Sequence, residues 1–174
     1  MNIDDQTASA LKLLVLDVDG VLTDGSVIYD NNGGETKAFN IKDGLGIKLL
    51  QAAGIDVAII TGRRSPMVER RAAELGIARL IQGREDKLAA LEQLLVELNL
   101  KLEQVAYMGD DLPDLSAIQR VALGCCPADA ASDVRAAAAW VATAAGGRGA
   151  VRELAEQLLH SRNQWASLVE KYQR

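Results

Sequence analysis

The first continuous apolar stretch of the chain is Leu13-Leu14-Val15-Leu16, and it is followed directly by Asp17-Val18-Asp19-Gly20. Four apolar residues stopped by an acidic turn are typical of a short strand that is buried on both faces, as in a parallel sheet. Because side chains alternate along a strand, Asp17 and Asp19 are expected to project to the same side at its end. This stretch therefore predicts a buried parallel strand and a pair of carboxylates at its carboxyl end.

Similar strand-like segments alternate with helical ones along the chain. Strands are predicted at residues 57–60, 78–81, 105–108 and 121–125, and helices at residues 45–53, 67–75 and 86–98. This alternation indicates right-handed β-α-β units and therefore an α/β fold, a Rossmann-like three-layer arrangement with a parallel sheet and helices on both faces. Ligands of such sheets bind at the carboxyl ends of the strands.

One segment interrupts the alternation. Residues 26–41 carry β-type residues on each side of Asp30-Asn31-Asn32-Gly33-Gly34, a strong turn signal, and are predicted to form a small β-hairpin. This insert is too short to be a separate cap domain. We expect one domain over residues 1–174, in which residues 148–174 form a terminal helix and tail.

Composition and charge narrow the possible partners. Of 174 residues, 49% are hydrophobic and 25% charged, and the net charge is −5, so the chain has no general attraction for nucleic acid or anionic membranes. The apolar stretch before Asp17 is too short to span a membrane, and Asp4 and Asp5 stand where a secretory signal would carry basic residues. The two cysteines, Cys125 and Cys126, are adjacent, which suits a reducing compartment. We expect a cytoplasmic protein.

The spacing of Asp17 and Asp19 suits phosphoryl transfer. Two carboxylates held together repel each other, which favours a bound divalent cation or a raised pKa on one of them. An ionised aspartate can attack phosphorus while its partner acts as general acid and then as general base. A lone Asp-x-Asp is typical of a solvated acidic turn and also fits a nucleotide-sugar transferase, which uses the pair to hold a metal, so the pair alone does not decide the function.

Three further positions share the same placement. Thr61 and Gly62 follow a predicted strand and can donate hydrogen bonds to a phosphate oxygen, and Lys87 begins a helix, where its ammonium can offset negative charge. Gly109-Asp110-Asp111-Leu112-Pro113-Asp114 adds carboxylates after another strand. Oxygen donors without Cys or His select Mg²⁺ over zinc. Each feature alone has an ordinary structural explanation, but their common position at strand ends argues against chance.

In this order the motifs resemble those of the haloacid dehalogenase superfamily of phosphatases. The set consists of Asp17-x-Asp19, Thr61, Lys87 and Gly109-Asp110-Asp111-x-x-Asp114. The likeness extends to a narrower family, the 3-deoxy-D-manno-octulosonate 8-phosphate (KDO 8-phosphate) phosphatases, through Asp17-Val-Asp-Gly-Val-Leu-Thr-Asp24, Lys37-Ala-Phe-Asn-Ile-Lys-Asp-Gly44, Ile60-Thr-Gly-Arg63 and Gly146-Gly-Arg-Gly-Ala-Val-Arg152. It implies a Mg²⁺-dependent hydrolase that releases phosphate from KDO 8-phosphate, a lipopolysaccharide precursor, through an aspartyl-phosphate intermediate.

The resemblance also implies roles for individual residues. Asp17 is the nucleophile and a Mg²⁺ ligand, Asp19 is the acid/base and gives the metal its backbone carbonyl, and Asp110 is the third protein ligand. Thr61 and Lys87 bind the transferring phosphoryl group. Together with Asp19, Thr61 and Lys87, the implied substrate contacts are Asn40, Ile41, Lys42, Asp43, Gly44, Lys48, Gly62, Arg63 and Arg71. The cations among them suit a sugar acid, which bears a carboxylate as well as a phosphate.

Relatives without a cap domain form homotetramers in which neighbouring subunits complete the pocket, and the resemblance implies the same here. Lys42 and Lys48 depart from the arginines expected at those positions, which gives up bidentate carboxylate binding. The tail after His160 contains no glycine, unlike the flexible tails that reach a neighbour's site in some relatives. Arg148 is expected either to bind phosphate or to cap the last helix.

Three alternatives stay open at this point. A phosphatase for sialic-acid-type 9-phosphates would carry similar motifs, because one extra carbon changes a pocket by only a modest free energy. A phospho-Asp receiver module of signalling also combines aspartates, Thr or Ser, and Lys on a parallel sheet, although it takes its acceptor from a middle strand and its lysine from a late one. An inactive oligomeric scaffold is the third alternative, and the complete motif set argues against it.

Overall fold

The computed structural model describes residues 3–173, and a six-stranded parallel sheet forms its centre. The strands are β1 (Leu13–Leu16), β4 (Asp56–Thr61), β5 (Arg79–Gln82), β6 (Val105–Met108), β7 (Leu123–Cys126) and β8 (Trp140–Val141), in the spatial order β5-β4-β1-β6-β7-β8. Leu16 at the end of β1 pairs with Ile59 of β4 on one side and with Met108 of β6 on the other. The stretch that ends on Asp17 is therefore a central strand.

Two short antiparallel strands, β2 (Ile28–Tyr29) and β3 (Glu35–Thr36), form the predicted hairpin. Its turn is closed by Asp30, whose carboxylate accepts hydrogen bonds from the backbone N–H groups of residues 32 and 34, both at 2.8 Å. The chain enters a helix at Ile41, directly after the hairpin. The predicted α/β architecture with a hairpin insert and no separate cap domain is confirmed.

Helices cover both faces of the sheet. They are α1 (Asp5–Ala10), α2 (Ile41–Ala52), α3 (Pro66–Glu74), α4 (Lys87–Leu98), α5 (Leu115–Arg120), α6 (Ser132–Ala137), α7 (Ala150–Ser161) and α8 (Trp165–Glu170). Because side chains alternate along β1, they pack into two separate parts of the core, one on each face of the sheet. Leu14 and Leu16 pack with residues of α2, α3 and α7, whereas Leu13 and Val15 pack with residues of α4, α5 and α6. Burial of such side chains, at about 1.5–3 kcal/mol each, is the main stabilising contribution to a fold of this kind.

The structure corrects the sequence predictions at the carboxyl-terminal end. The single terminal helix predicted from residue 148 is interrupted between Ser161 and Trp165, where Asn163 adopts a φ of 56°. Asparagine tolerates this left-handed conformation better than most residues, so the helix ends without glycine or proline. The short strand β8, which the sequence pattern does not predict, lies within an alanine-rich stretch, residues 136–145. The ends of the predicted domain, residues 1, 2 and 174, lie outside the described residues.

No helix within residues 3–173 combines the length and the hydrophobicity that a membrane span requires.

Candidate active site

The carboxyl ends of three adjacent strands bring the predicted catalytic residues together. Asp17 directly follows β1, Thr61 is the last residue of β4, and Asp110 follows β6 after one intervening glycine. Lys87 is the first residue of α4, the helix that follows β5. These residues line one cleft of about 330 Å³, together with the predicted residues Asp19, Gly62 and Arg63.

Lys87 is the centre of a buried ionic network. Its Nζ lies 3.0 Å from Asp17 Oδ1 and 2.6 Å from Asp114 Oδ1, and its side chain is 5% exposed. Asp114 also accepts a hydrogen bond of 2.8 Å from the Tyr107 hydroxyl, and its other oxygen accepts from the backbone N–H of Asp110 at 3.2 Å. Asp114 therefore fixes Lys87 and the loop that carries Asp110. We call Asp17, Lys87, Asp110 and Asp114 the strand-end cluster.

Burial and repulsion control the protonation of the strand-end cluster. Burial and the charge of Asp114 raise the pKa of Asp17 to about 6, although Lys87 acts against this rise. Burial and the charges of Asp17 and Asp114 raise the pKa of Asp110 to about 7. Burial alone would lower the pKa of Lys87, but Asp17 and Asp114 outweigh it and raise that pKa, so the lysine stays a cation. Three carboxylates therefore share one ammonium in a poorly solvated space.

This cluster fits a hard divalent cation. Carboxylate oxygens of Asp17, Asp110 and Asp114 lie within 4.8 Å of one another. Asp114 already accepts hydrogen bonds or ion pairs at both oxygens, so Asp17 and Asp110 are the side chains best able to hold a metal. The Asp19 carboxylate is not part of this group, and the expected contribution of Asp19 through its backbone carbonyl stays a prediction. All the donors are oxygens, the ligands that Mg²⁺ prefers.

Two glycines allow the loop after β1, residues 17–24, to approach its neighbours; because it carries the predicted catalytic residues Asp17 and Asp19, we call it the catalytic loop. Gly20 has a φ of +89°, and a Cβ there would lie 2.0 Å from Asp110 Oδ2. A Cβ on Gly146 would lie 1.8 Å from the carbonyl oxygen of Gly20. Both positions therefore exclude side chains, and the loop after β1 is held between Asp110 and the glycine-rich segment before α7. This contact explains in physical terms why the segment belongs to the motif set.

The Asp19 carboxylate is held by the hairpin. One oxygen contacts the ammonium of Lys37, and the other lies 3.8 Å from Arg63 Nε. Glu35 completes a closed arrangement, because its two oxygens lie 3.1 Å from Lys37 Nζ and 2.9 Å from Arg63 Nη2. Hydrogen bonding from Lys37 and Arg63 lowers the pKa of Glu35, whereas hydrogen bonds to Tyr29 and Glu35 raise the pKa of Arg63. We call Asp19, Glu35, Lys37 and Arg63 the hairpin ring.

Several members of these two groups have no sequence-predicted role. Lys37 and Asp114 lie within quoted motifs but have no predicted function, and Glu35 and Tyr107 lie outside the motifs. For one pair the sequence contains a pattern that could have indicated a shared role. Glu35 and Lys37 stand two residues apart beside a turn, a spacing that places both side chains on one face of a strand.

The remaining predicted substrate contacts do not line the cleft around Asp17. They lie on α2, its amino-terminal cap and α3: Asn40, Ile41, Lys42, Asp43, Gly44, Lys48 and Arg71. Asn40 caps α2 by accepting from two of its backbone N–H groups. The buried Asp43 accepts a 2.8 Å hydrogen bond from the backbone of Arg152, and Arg71 donates to the carbonyl of Asn40 at 3.3 Å. Their contacts with substrate stay predictions.

Arg148 lies outside the cleft as well. Its guanidinium is 3.4 Å from Asp24 at the end of the catalytic loop, and α7 begins two residues later. The structure therefore shows a third arrangement, an ion pair that connects the glycine-rich segment to the loop.

The sheet order, the strand-end cluster and the hairpin insert define a haloacid dehalogenase-like hydrolase. Residues 46–122 match the family of that description. Over 154 residues the chain is 49% identical to the 3-deoxy-D-manno-octulosonate 8-phosphate phosphatase KdsC of Yersinia pestis, a match that covers 88% of this chain and 82% of that protein. The chain belongs to the family of KDO 8-phosphate phosphatases.

Solved structures agree with this assignment. A probable YrbI family phosphatase from Pseudomonas syringae pv. phaseolica superimposes with a TM-score of 0.95 at 52% identity, covering 98% of this chain and 97% of that one. The KDO 8-phosphate phosphatase of Moraxella catarrhalis, in complex with magnesium, phosphate and KDO, has a TM-score of 0.95 at 46% identity and covers 97% of both chains. Membership of a hydrolase family argues against the receiver alternative.

Proposed function

We propose that this chain is a Mg²⁺-dependent phosphomonoester hydrolase that releases phosphate from KDO 8-phosphate, an intermediate in lipopolysaccharide synthesis. The observation that carries the proposal is the convergence of Asp17, Thr61, Lys87 and Asp110 at one edge of the sheet. Relatives that match most of the chain are named for this activity, and one of them binds magnesium, phosphate and KDO.

The first chemical step forms a covalent intermediate on Asp17. Its carboxylate oxygen attacks phosphorus, the bond between phosphorus and the sugar oxygen breaks, and that oxygen leaves with the bonding electron pair. Asp19 donates a proton to the leaving oxygen, so the sugar departs as an alcohol. Lys87 and Thr61 stabilise the negative charge that the phosphoryl oxygens carry in the transition state.

The second step returns the enzyme to its starting state. Asp19, now a carboxylate, takes a proton from water, and the resulting oxygen attacks the phosphorus of the aspartyl phosphate. The bond between phosphorus and Asp17 breaks, inorganic phosphate leaves, and Asp17 recovers its carboxylate. Asp19 therefore acts once as acid and once as base, which requires its side chain to stay close to the reacting atoms throughout.

Asp17 and Asp110 would hold the magnesium ion with their carboxylates, and Asp19 with its backbone carbonyl. The bound cation supplies positive charge to the phosphoryl oxygens and keeps the nucleophile ionised. The raised pKa values of Asp17 and Asp110 support this role, because carboxylates that repel one another in a buried site are relieved by a cation.

Substrate recognition would involve the cations and polar groups near the cleft. Gly62 and Arg63 line the cleft directly. We also propose contacts from Asn40, Ile41, Lys42, Asp43, Gly44, Lys48 and Arg71, which within one subunit lie outside the cleft around Asp17 and would act on the sugar acid across a subunit boundary. The exposed side chains of Ile41, Lys42 and Lys48 are free for such a role, whereas Asp43 is buried and would act by positioning the amino end of α2.

We propose a cytoplasmic homotetramer made of single-domain subunits. The hairpin exposes an apolar group, in which Val27 is 44% exposed, Ile28 51% and Tyr29 65%, and assembly would bury it. The cysteines at the end of β7 are both free thiols, which suits a reducing compartment.

The experiment that tests this function is a phosphate-release screen with purified protein and Mg²⁺. KDO 8-phosphate is expected to be turned over faster than a sialic-acid-type 9-phosphate, and both faster than glucose 6-phosphate. The Asp17→Asn variant, prepared free of wild-type enzyme, serves as the blank. Equal rates on all three substrates would contradict the narrow substrate assignment, and a faster rate on the 9-phosphate would establish the alternative.

A further inference from the structure

The hairpin ring joins the hairpin insert to the proposed acid/base Asp19, and the general mechanism does not require such a contact. Its four charges alternate in sign around a closed path: Lys37 contacts Asp19, Asp19 faces Arg63, Arg63 binds Glu35, and Glu35 returns to Lys37. Lys37 and Glu35 belong to the hairpin and its exit, whereas Asp19 belongs to the catalytic loop and Arg63 to the segment after β4. The ring therefore connects three separate parts of the chain.

Lys37 is the most deeply placed member of this ring. Its side chain is 1% exposed, against 22% for Asp19 and 43% for Arg63. A buried ammonium is costly to desolvate unless opposite charges surround it, so Lys37 has a strong preference for the position between Asp19 and Glu35. Lys37 Nζ donates a hydrogen bond to Asp19 Oδ1, whereas Arg63 Nε lies 3.8 Å from Asp19 Oδ2, beyond hydrogen-bond distance. Lys37 is thus the main constraint on where the Asp19 carboxylate lies.

We propose that Lys37 is a positioning residue for the acid/base: it binds Asp19 Oδ1 and thereby orients Oδ2, the oxygen that carries the proton given to the leaving oxygen. The inference rests on the proposed role of Asp19 and adds to it a specific function for the hairpin. The hairpin then orients a reacting side chain within its own subunit, independently of any part it plays in assembly.

This role has a consequence that a merely structural one lacks. A well-placed general acid accelerates expulsion of a basic leaving oxygen but contributes little when the leaving group departs readily as an anion. Loss of the Lys37 contact should therefore slow phosphoryl transfer from phenyl phosphate to Asp17, because the basic phenolate leaves more readily when it is protonated. Transfer from 2,4-dinitrophenyl phosphate, whose leaving group needs no proton, should be spared.

The test measures phosphorylation of Asp17 in single-turnover experiments with both aryl phosphates at saturating Mg²⁺. Lys37→Met keeps the length of the side chain and removes its charge. The matched control is Arg70→Met, which removes an exposed cation whose partner is Glu74, 3.0 Å away on α3. We expect Lys37→Met to slow transfer from phenyl phosphate by about 30-fold and transfer from the dinitrophenyl ester by less than about threefold. Arg70→Met should leave both rates unchanged.

A double-mutant cycle separates positioning from other roles. When Asp19→Asn has already removed the acid, adding Lys37→Met should slow transfer from phenyl phosphate no further. An equal loss on both esters, or an undiminished effect of Lys37→Met in the Asp19→Asn background, would overturn the proposal, because Lys37 would then act on the phosphoryl group or on folding.

The use of aryl esters also keeps this test independent of the sugar substrate. A wild-type enzyme that turns over both esters but not KDO 8-phosphate would contradict the proposed substrate while the comparison remains decisive for Lys37. A wild-type enzyme that phosphorylates Asp17 with neither ester would contradict the proposed chemistry and this inference together.

Discussion

Asp17 and Asp19 stand two residues apart in one short loop, yet the protein holds their carboxylates by different means. Asp17 follows the central strand, its side chain is 8% exposed, and it faces Lys87, which Asp114 in turn anchors. Asp19 has a side chain that is 22% exposed and is oriented by Lys37 and Arg63, two long side chains from different segments. The strand-end cluster is thus positioned by the backbone of the sheet, and the hairpin ring by an insert.

This contrast suits the role proposed for each carboxylate. The nucleophile must meet phosphorus along a defined line, so a rigid and buried origin suits it. The acid/base must exchange a proton with the leaving oxygen and then with water, so it needs access to solvent. Substitutions in the strand-end cluster should therefore change both folding stability and chemistry, whereas substitutions in the hairpin ring should change chemistry with little loss of stability.

The largest effect is expected from Asp17→Asn. An amide is not a competent nucleophile towards phosphorus, so kcat should fall by at least about 10⁴-fold. The side chains are nearly equal in size, and Lys87 keeps Asp114 as a partner, so the far-UV circular dichroism spectrum should match that of wild type. Asp133→Asn, which changes an exposed aspartate on α6, is the control and should retain full activity. Substantial turnover by pure Asp17→Asn would refute the covalent mechanism.

Lys87→Met should combine a large loss of activity with a loss of stability. It leaves the buried charges of Asp17 and Asp114 without their cation, which should lower the free energy of unfolding by about 3 kcal/mol, as measured in urea. Loss of phosphoryl stabilisation should also lower kcat by about 10²-fold or more. The exposed Lys12 provides the control, because Lys12→Met should change neither quantity. An unchanged stability of Lys87→Met would show that the strand-end cluster does not depend on its lysine.

The difference in how well these two regions could be predicted from sequence has a physical origin. Asp17, Thr61 and Asp110 follow strands that adjoin in a parallel sheet, so periodicity and strand-end placement were enough to bring them together. The contact between Lys37 and Asp19 depends on how the hairpin lies across the cleft, a tertiary relation that leaves no periodic pattern.

The two errors in the fold prediction also arise where the local sequence signal is weak. Strand β8 contains two residues, too few to show alternation, and it lies within an alanine-rich stretch that resembles helix. The break at Asn163 relies on a left-handed residue that is neither glycine nor proline, so the helical pattern continues across it in sequence. In both places, packing against neighbours decides the structure where local signals are weak.

Magnesium binding should depend on the carboxylates of the strand-end cluster but not on the carboxylate of Asp19. The metal would be held by the carboxylates of Asp17 and Asp110 and by the backbone of Asp19, so Mg²⁺ should raise the melting temperature of the wild-type protein. At a hundredfold excess over Kd the stabilisation should be about 2.7 kcal/mol. Asp110→Asn should abolish this shift and Asp19→Asn should preserve it, as measured by differential scanning fluorimetry. Loss of the shift in Asp19→Asn would mean that its carboxylate binds the metal, contrary to the assigned geometry.

The smallest effect is expected from Glu35→Gln, which weakens the hairpin ring while leaving the contact between Lys37 and Asp19 in place. Glutamine keeps an oxygen that can accept a hydrogen bond from Lys37, and the buried Lys37 keeps Asp19 as its charged partner, so the melting temperature should stay within about 2 °C of wild type. The value of kcat should fall only slightly, because Lys37 still orients the acid/base. Glu74→Gln, which removes a carboxylate paired with Arg70 on α3, is the control of equal charge. If Glu35→Gln lost as much stability as Lys87→Met, the hairpin ring would stabilise the fold as strongly as the strand-end cluster does. The contrast between a nucleophile held by the sheet and an acid/base held by side chains would then be wrong.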